Sequence, residues 1–190
     1  FLDVGCGLGM GLMYAQRFGF KLYATELDQD AIDFVNRELN AAVFHGDLLE
    51  SNYADEQFDY IYMYHVIEHV LDPVKYVAEM NRILKPGGTL FIGTPNISSF
   101  IYRVYRAIKF LTWSVPGIVD GLEHTFLFNR KTLQQVCGNA GFKMVKHKKL
   151  ALEESLSNIL RSDLSLQKKV SRYVQTFFST NQDVVFRKPL

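Results

Sequence analysis

The feature that most constrains the fold is the alternation, over residues 1–94, of short apolar segments with longer segments of helical period. The apolar segments predict five buried strands, at residues 1–4, 21–25, 42–44, 58–63 and 89–94. Parallel strands need long crossover connections, and these are usually helices that cover the faces of the sheet. The alternation therefore predicts an α/β fold with a doubly wound, mostly parallel sheet.

The second half of the chain changes this rhythm. Residues 142–148 and 183–188 predict two further strands, and a helical insert is predicted after strand five, at residues 99–128. A helical extension is predicted at residues 149–181, before the last strand. Because neither a repeat nor a linker separates these segments, residues 1–190 are predicted to form a single domain.

Composition excludes several classes of protein. Apolar residues make up 48% of the chain and charged residues 22%, which is ordinary for a globular protein and excludes intrinsic disorder. No run of about 18 consecutive apolar residues predicts a membrane-spanning helix. Cys6 and Cys137 are too far apart for a disulfide framework or a zinc motif. We therefore expect a reducing, cytoplasmic location.

Charge is unevenly distributed along the chain. Residues 1–98 hold 14 acidic and six basic residues, whereas residues 99–150 hold two acidic and nine basic ones. One explanation is two solvated faces that cancel; the other is a site for a cationic cofactor beside one for an anionic substrate or a membrane. Residues 99–113 combine an apolar stripe with a basic face, which predicts either a substrate lid or a peripheral membrane contact.

A glycine turn follows the first strand. Gly5, Gly7 and Gly9 fall in the segment Asp3-Val4-Gly5-Cys6-Gly7-Leu8-Gly9. Glycine lets the backbone approach a ligand closely, and ligands of open α/β sheets bind at the carboxyl ends of the strands. A turn needs glycine in any case, so this loop alone is weak support for a cofactor site.

Two carboxylates follow the next two strands. Glu26 ends the second strand, where a carboxylate can accept hydrogen bonds from both hydroxyls of a ribose. Asp47 follows the third strand and is predicted either to accept from an adenine amino group or to cap the next turn. A nicotinamide-dependent dehydrogenase would share these features, but Gly11 falls one place too early for a G-x-G-x-x-G motif.

Five sequence blocks, in this order, resemble those of class I S-adenosylmethionine-dependent methyltransferases. Four of them are LDVGCGLG (residues 2–9), TELD (25–28), FDYIYMYHVIEHV (58–70) and LKPGGTLFIGTPN (84–96). The fifth, EHTFLFNRKTLQQVCGNAGF (123–142), is typical of a small-molecule subgroup that includes ubiquinone-type O-methyltransferases. The resemblance implies a seven-stranded sheet with an antiparallel last strand, and helices that precede the first strand.

The resemblance also implies S-adenosyl-L-methionine as the cofactor and methyl transfer to a small-molecule acceptor, with a hydroxyl oxygen favoured. A lipid-like or anionic acceptor fits the basic segment, and no nucleic-acid-binding pattern is found. The alternative is an inactive methyltransferase-like module that only binds. The implied cofactor-binding residues are Asp3 at the amino group, Gly5, Gly7 and Gly9 at the methionine part, Glu26 at the ribose and Asp47 at the adenine, together with Leu27 and Leu48, which follow the two carboxylates.

The segment His65-Val66-Ile67-Glu68-His69 has the literal H-x-x-E-H pattern of a zinc protease. That chemistry needs both histidines on one helix face, but the segment directly follows a strand, so we disfavour it. A divalent ion held by His65, Glu68 and His69 remains an alternative, although we predict no metal. His69 is expected to be a helix-start residue bonded to the backbone.

Two histidines are candidates for the catalytic base. Methyl transfer depends mainly on orientation, but a hydroxyl acceptor also has to lose a proton, and histidine accepts protons near neutral pH. The sequence predicts His65 or His124 in this role. For His124, the alternative is that it only fixes the insert to the sheet.

Overall fold

The structure is a computed structural model that describes residues 1–99, 125–149 and 181–190. It contains a seven-stranded sheet of order β3-β2-β1-β4-β5-β7-β6. Strands β1 to β5 pair in parallel, and β7 is antiparallel to both neighbours, as predicted. The strands are β1 (Leu2–Val4), β2 (Leu22–Glu26), β3 (Ala41–His45), β4 (Phe58–Tyr64), β5 (Leu84–Pro95), β6 (Lys143–Lys149) and β7 (Asn181–Arg187).

Four helices flank this sheet in the described part of the chain. They are α1 (Met10–Gln16), α2 (Gln29–Glu38), α3 (Pro73–Ile83) and α4 (Arg130–Asn139), and a short 3₁₀ helix spans Leu48–Glu50. Polar N-caps fix three of the starts: the side chains of Asp28, Asp72 and Asn129 each accept a backbone N–H of the first turn. None of the described helices has the length and apolar character needed to cross a membrane.

The core has two parts, one on each face of the sheet. The larger packs α3 and α4 against the side chains of β1, β4, β5 and β7 that point to that face. The smaller packs α1 and α2 against β2, with Leu12, Leu22 and Val35 at its centre. Alternate residues of β4 serve the two faces: Ile61 and Met63 are fully buried, whereas Tyr60 and Tyr62 are partly exposed.

Strand β5 begins five residues earlier than predicted. The sequence Lys85-Pro86-Gly87-Gly88 indicates a break, but it lies within β5, where the pairing with β4 is irregular. Gly87 adopts a φ of 74°, and its N–H donates to the carbonyl of Lys188, whose own N–H donates to Gly88. The glycines therefore form an irregular segment that pairs with the end of the chain.

Most of the predicted insert (99–128) and extension (149–181) lies outside the described residues. In the described part of the insert, Phe128 makes an isolated parallel bridge to Asn96. Lys149 and Asn181 belong to strands β6 and β7, so the two strands extend into the predicted helical extension by one residue each.

The topology places the candidate site. From β1 the chain continues to β2 on one side, and β4 pairs with β1 on the other. A crevice opens at such a reversal of strand order, outside the carboxyl ends of the strands. The glycine loop, Glu26, Asp47 and His65 all follow or end strands at this edge.

Candidate functional site

A cleft of about 340 Å³ lies at the carboxyl edge of the sheet. This volume is within the usual range for a small-molecule site. The cleft brings together most of the residues predicted from the sequence, and adds Val66, His69 and Tyr76. The predicted residues among its walls are Gly5, Gly7, Glu26, Leu27, Asp47, Leu48 and His65.

The glycine loop combines a packed position with an open one. Gly5 has a φ of 68°, and a Cβ atom there would lie 2.5 Å from Cγ2 of Val66. Gly7 has a φ of 49°, but no atom lies within 4 Å of the position of its Cβ. Gly5 is therefore required by the packing of the protein itself, whereas Gly7 leaves a side-chain-sized space on the wall of the cleft.

Glu26 is bonded to the loop that it faces. Its Oε2 accepts the N–H of Gly7 at 2.7 Å, and its Oε1 accepts the N–H groups of Leu27 at 2.7 Å and Asp28 at 3.0 Å. A carboxylate offers about four acceptor positions, so Oε2 keeps one for a ligand hydroxyl. The side chain can thus shape the glycine loop and bind a ribose at once.

The position of Asp47 is compatible with both roles that the sequence left open, which are capping the next turn and accepting from an adenine amino group. Its Oδ1 accepts the N–H of Leu49 at 2.8 Å and caps the 3₁₀ helix. Its Oδ2 accepts a hydrogen bond from the hydroxyl of Tyr76. Burial, together with this bond, raises the pKa of Tyr76, so the phenol stays protonated and remains a donor. The carboxylate is held in place and keeps acceptor positions for an adenine amino group.

Two leucines flank these carboxylates in different environments. Leu48 is buried in the core at 1% exposure, whereas the side chain of Leu27 is 69% exposed at the cleft. An exposed apolar side chain beside a polar cleft can cover the flat face of a ligand ring.

His65 lines the cleft and belongs to a hydrogen-bonded network that extends into the interior behind it. It follows β4 with a φ of 56°, and its N–H donates to the carbonyl of Gly93 at 2.8 Å. The ring Nδ1 lies 2.9 Å from Oε1 of Glu68, and Nε2 lies 2.9 Å from Nδ2 of Asn181. Glu68 is fully buried, and its Oε2 accepts the hydroxyl of Thr94 at 2.9 Å.

The charge of Glu68 is maintained by this network. Burial by itself would raise the pKa of the carboxyl, but the hydrogen bonds from His65, the backbone and Thr94 outweigh it and lower the pKa. Glu68 is therefore an ionised carboxylate in the interior, paired with an imidazole.

The H-x-x-E-H segment does not form a helix. Residues 67–69 are in a turn, in which the N–H of His69 donates to the carbonyl of Val66 at 2.9 Å. The backbone of His69 is thus bonded within this turn, and the expectation that His69 starts a helix is wrong. Within the described residues, no group of three His, Cys, Asp or Glu side chains is arranged to hold a metal ion.

Three predicted residues do not line the cleft in the described part of the chain. Asp3 lies behind the glycine loop at 2% exposure, and its Oδ2 has no hydrogen-bond partner. Burial, with a smaller effect from Glu26, raises the pKa of Asp3 to about 7. Gly9 packs against Leu39 of the smaller core, and His124 lies outside the described residues.

Sequence analysis missed Tyr76 and Asn181, and it named Glu68 only as a metal ligand. Tyr76 is hidden within the amphipathic pattern of α3, although a hydroxyl on a 7% exposed side chain needs a partner. Asn181 is 116 residues from His65 in the sequence, and nothing local indicates their contact.

A second cavity of about 430 Å³ lies between α1 and β4. Its walls are almost entirely apolar and aromatic, with Phe1, Tyr14, Phe18 and Tyr60 prominent. It has no carboxylate and no glycine loop, and the polar side-chain groups among its lining residues are tyrosine hydroxyls. The cleft at the carboxyl edge is therefore the candidate site.

Known proteins are similar to this chain in sequence. A family model described as a methyltransferase domain matches residues 1–147. A probable S-adenosylmethionine-dependent methyltransferase of Mycolicibacterium smegmatis is 31% identical over 146 residues, covering 75% of this chain and 51% of that protein. A ubiquinone biosynthesis O-methyltransferase of Dinoroseobacter shibae is 33% identical over 133 residues, covering 63% of this chain and 51% of that protein. The chain thus spans about half the length of these curated relatives.

Solved structures share the fold. An S-adenosylmethionine-dependent methyltransferase from Mesorhizobium loti superimposes with a TM-score of 0.71 at 14% identity, covering 98% of this chain and 89% of that one. At this identity the likeness shows the fold alone, and the family rests on the match over residues 1–147. The chain belongs to the class I S-adenosylmethionine-dependent methyltransferases.

Proposed function

We propose that the protein transfers a methyl group from S-adenosylmethionine to the hydroxyl oxygen of a small-molecule acceptor, with His65 as the base. The observation that carries this proposal is that one cleft holds Gly7, Glu26 and His65 together. The similarity to ubiquinone biosynthesis O-methyltransferases favours oxygen as the acceptor atom.

The cleft fits the cofactor. Gly7 leaves open space for the methionine part, and Glu26 keeps an acceptor position for a ribose hydroxyl. The oriented carboxylate of Asp47 and the exposed side chain of Leu27 suit an adenine ring. When bound, S-adenosylmethionine supplies a methyl group on a cationic sulfur and leaves as S-adenosylhomocysteine after the methyl carbon has bonded to the acceptor oxygen.

The residues of the chain supply orientation and a place for the proton. The walls of the cleft hold the acceptor in line, which contributes most of the rate for an already activated methyl donor. As the oxygen gains its methyl group, Nε2 of His65 takes the hydroxyl proton. His124 is the second candidate for this role.

The acceptor class is a further part of the proposal. The nine basic residues of the segment 99–150 favour an anionic or lipid-like acceptor, and residues 99–113 are proposed to contact the membrane surface at its periphery. Flotation with anionic liposomes tests this contact. Binding that falls as salt rises supports it, and no binding at low salt contradicts it.

The experiment for the main proposal follows a labelled methyl group from S-adenosylmethionine to a panel of acceptors that carry a phenolic hydroxyl, an amine or a thiol. Transfer to hydroxyls is expected, and His65→Ala or His124→Ala should lower kcat about 10²–10⁴-fold with cofactor affinity preserved. Unchanged turnover in chelator rules out the metal alternative. Transfer to amines or thiols alone contradicts the proposal, and cofactor binding without any transfer favours the binding module.

A further inference from the structure

We propose that Glu68 and Asn181 are positioning residues that hold the His65 imidazole in one tautomer and direct Nε2 at the acceptor hydroxyl. This inference rests on the proposed function, because it assigns the parts that make His65 a base. Neither residue is among the predicted catalytic or cofactor-binding residues, and the two lie far apart in the sequence.

Nδ1 of His65 faces the carboxylate of Glu68. Oε1 of Glu68 lies 2.9 Å from Nδ1, and a carboxylate oxygen that faces a ring nitrogen accepts a hydrogen bond from it. Nδ1 therefore carries the ring proton, and Nε2 of the neutral ring carries the lone pair. The hydroxyl of Thr94 holds the other carboxylate oxygen at 2.9 Å, which fixes the orientation of the pair.

Nε2 of His65 faces the side-chain amide of Asn181. Nδ2 of Asn181 lies 2.9 Å from it, and an amide NH₂ is a donor, as a lone pair requires. Asn181 begins β7, which runs antiparallel to β5, so it is placed at the carboxyl edge where the cleft opens. The NH₂ group marks the direction from which a hydroxyl would approach Nε2.

The backbone of His65 and the neighbouring Tyr64 ring also restrict the position of the imidazole. The left-handed backbone of His65 is tied to the carbonyl of Gly93, and the ring packs edge-on to Tyr64 with centroids 4.5 Å apart. Gly93 is required for this arrangement, because a Cβ atom there would overlap the Tyr64 ring. The ionisable groups around the ring and the cleft, in the described residues, are Tyr64, Glu68, His69, Glu26, Asp47, Tyr76 and Asp183 on β7.

The parts combine into one proton path. The acceptor hydroxyl displaces the NH₂ of Asn181 from Nε2 and donates its hydrogen bond there. The hydroxyl proton passes to Nε2 as the oxygen forms its bond to the methyl carbon and the bond from that carbon to sulfur breaks, with the electron pair left on sulfur. The buried carboxylate of Glu68 stabilises the imidazolium that results, and the proton leaves to solvent before the next acceptor binds, which restores the lone pair on Nε2.

The tautomer is tested first, without turnover. In the ¹⁵N-histidine-labelled full chain with S-adenosylhomocysteine, long-range ¹H–¹⁵N spectra at a pH where the ring is neutral should show His65 with Nδ1 protonated and Nε2 bare. Glu68→Gln should retain this tautomer because its carbonyl still accepts, whereas Glu68→Ala should shift it toward Nε2–H. A proton on Nε2 in the wild type overturns the inference.

The kinetic test uses an acceptor found in the labelled-methyl experiment. Glu68→Ala should lower kcat about 100-fold or more, with the KM for S-adenosylmethionine within about twofold, and Glu68→Gln should recover part of that loss. Asn181→Asp should lower kcat at least about 10-fold, because a carboxylate on Nε2 favours the protonated ring. Asn36→Asp, an exposed substitution on α2 with the same charge change, is the control.

The outcomes separate the two proposals. If no acceptor is methylated, the proposed function fails, while the spectra still decide whether the ring is held as inferred. If turnover is found and Asn181→Asp has the same kcat as the wild type, the positioning roles fail and the proposed function stands. The same conclusion follows if Glu68→Ala lowers kcat, raises the KM for S-adenosylmethionine and lowers the thermal stability together. Because Glu68 is buried, Asn181→Asp keeps the inference testable if Glu68→Ala does not fold.

Discussion

Oε2 of Glu26 accepts a hydrogen bond of 2.7 Å from the backbone N–H of Gly7. The carboxylate of Glu26, which the family resemblance assigns to the ribose, therefore also stabilises the glycine loop. Because its other oxygen accepts two further N–H groups, Glu26, Gly7 and the start of α2 form one unit at the floor of the cleft. Substitutions in this unit act on both the shape of the loop and the ligand.

The ribose role of Glu26 is separable from its structural role by changing the ligand. The wild type should bind S-adenosylhomocysteine more tightly than its 2′-deoxy analogue, whereas Glu26→Ala should bind the two alike. The substitution should cost on the order of 1–3 kcal/mol of binding free energy for the hydroxylated ligand, as measured by calorimetry. Equal affinity of wild type and Glu26→Ala for S-adenosylhomocysteine would remove the ribose role.

The open space at Gly7 predicts a loss of binding that a matched glycine does not show. Gly7 and Gly19 have φ values of 49° and 73°, and neither has an atom within 4 Å of its Cβ position. Alanine at either position should therefore cost about 1–2 kcal/mol of unfolding free energy through backbone strain. Of these two glycines, Gly7 lines the cleft and Gly19 does not. Gly7→Ala should therefore weaken S-adenosylhomocysteine binding by about 10-fold or more, whereas Gly19→Ala should leave it unchanged. Equal affinities of the two variants would place the methionine part elsewhere.

A second pair of glycines predicts opposite changes in stability. Gly11 lies in α1 and Gly138 in α4, where alanine is usually more stable by about 1 kcal/mol. At Gly138 nothing lies within 4 Å, so Gly138→Ala should stabilise the protein. A Cβ atom at Gly11 would overlap Oδ2 of Asp3 and lie 2.8 Å from Cδ1 of Tyr62, so Gly11→Ala should cost about 1–3 kcal/mol. Denaturant unfolding measures both, and a stabilised Gly11→Ala would contradict the close packing of α1.

The buried carboxyl of Asp3 predicts how stability changes with pH. Its pKa is raised from 3.8 to about 7 in the folded protein, chiefly by burial. Between these two values the folded state holds a proton that the unfolded state has lost, so Asp3 makes the free energy of unfolding fall as pH rises from about 4 to about 7. The slope from one such proton approaches about 1.4 kcal/mol per pH unit.

Asp3→Asn should remove the part of the pH dependence of the unfolding free energy that comes from Asp3, and this loss is what the experiment measures. Unfolding of both proteins in denaturant at several pH values from 4 to 8 gives the difference in slope. Parallel curves for wild type and Asp3→Asn would mean that Asp3 is ionised throughout this range. The same variant with S-adenosylhomocysteine tests the predicted approach of Asp3 to the amino group of the cofactor.

Much of the fold was predictable because it depends on local patterns. Short apolar segments with glycine turns predicted the five parallel strands, and the caps that Asp28 and Asp72 form at the starts of α2 and α3 are contacts between neighbours in the sequence. The position of a strand end then placed Glu26 and Asp47 at one edge of the sheet, because parallel strands share the side on which they end. The extent of β5 was wrong, since the pairing of Gly87 and Gly88 with Lys188 is a contact of high sequence separation.

By itself, the sequence determined the order of the predicted strands, the family and the edge of the sheet at which the candidate site lies. Only the tertiary structure decided which polar groups share protons: that Tyr76 holds Asp47, that Glu68 faces His65 and that Asn181 meets the other nitrogen of the same ring. The physical reason is the range of the interactions. Backbone periodicity and turn chemistry act between neighbours in the sequence, whereas a hydrogen bond between side chains exists only where packing brings distant segments within about 3 Å.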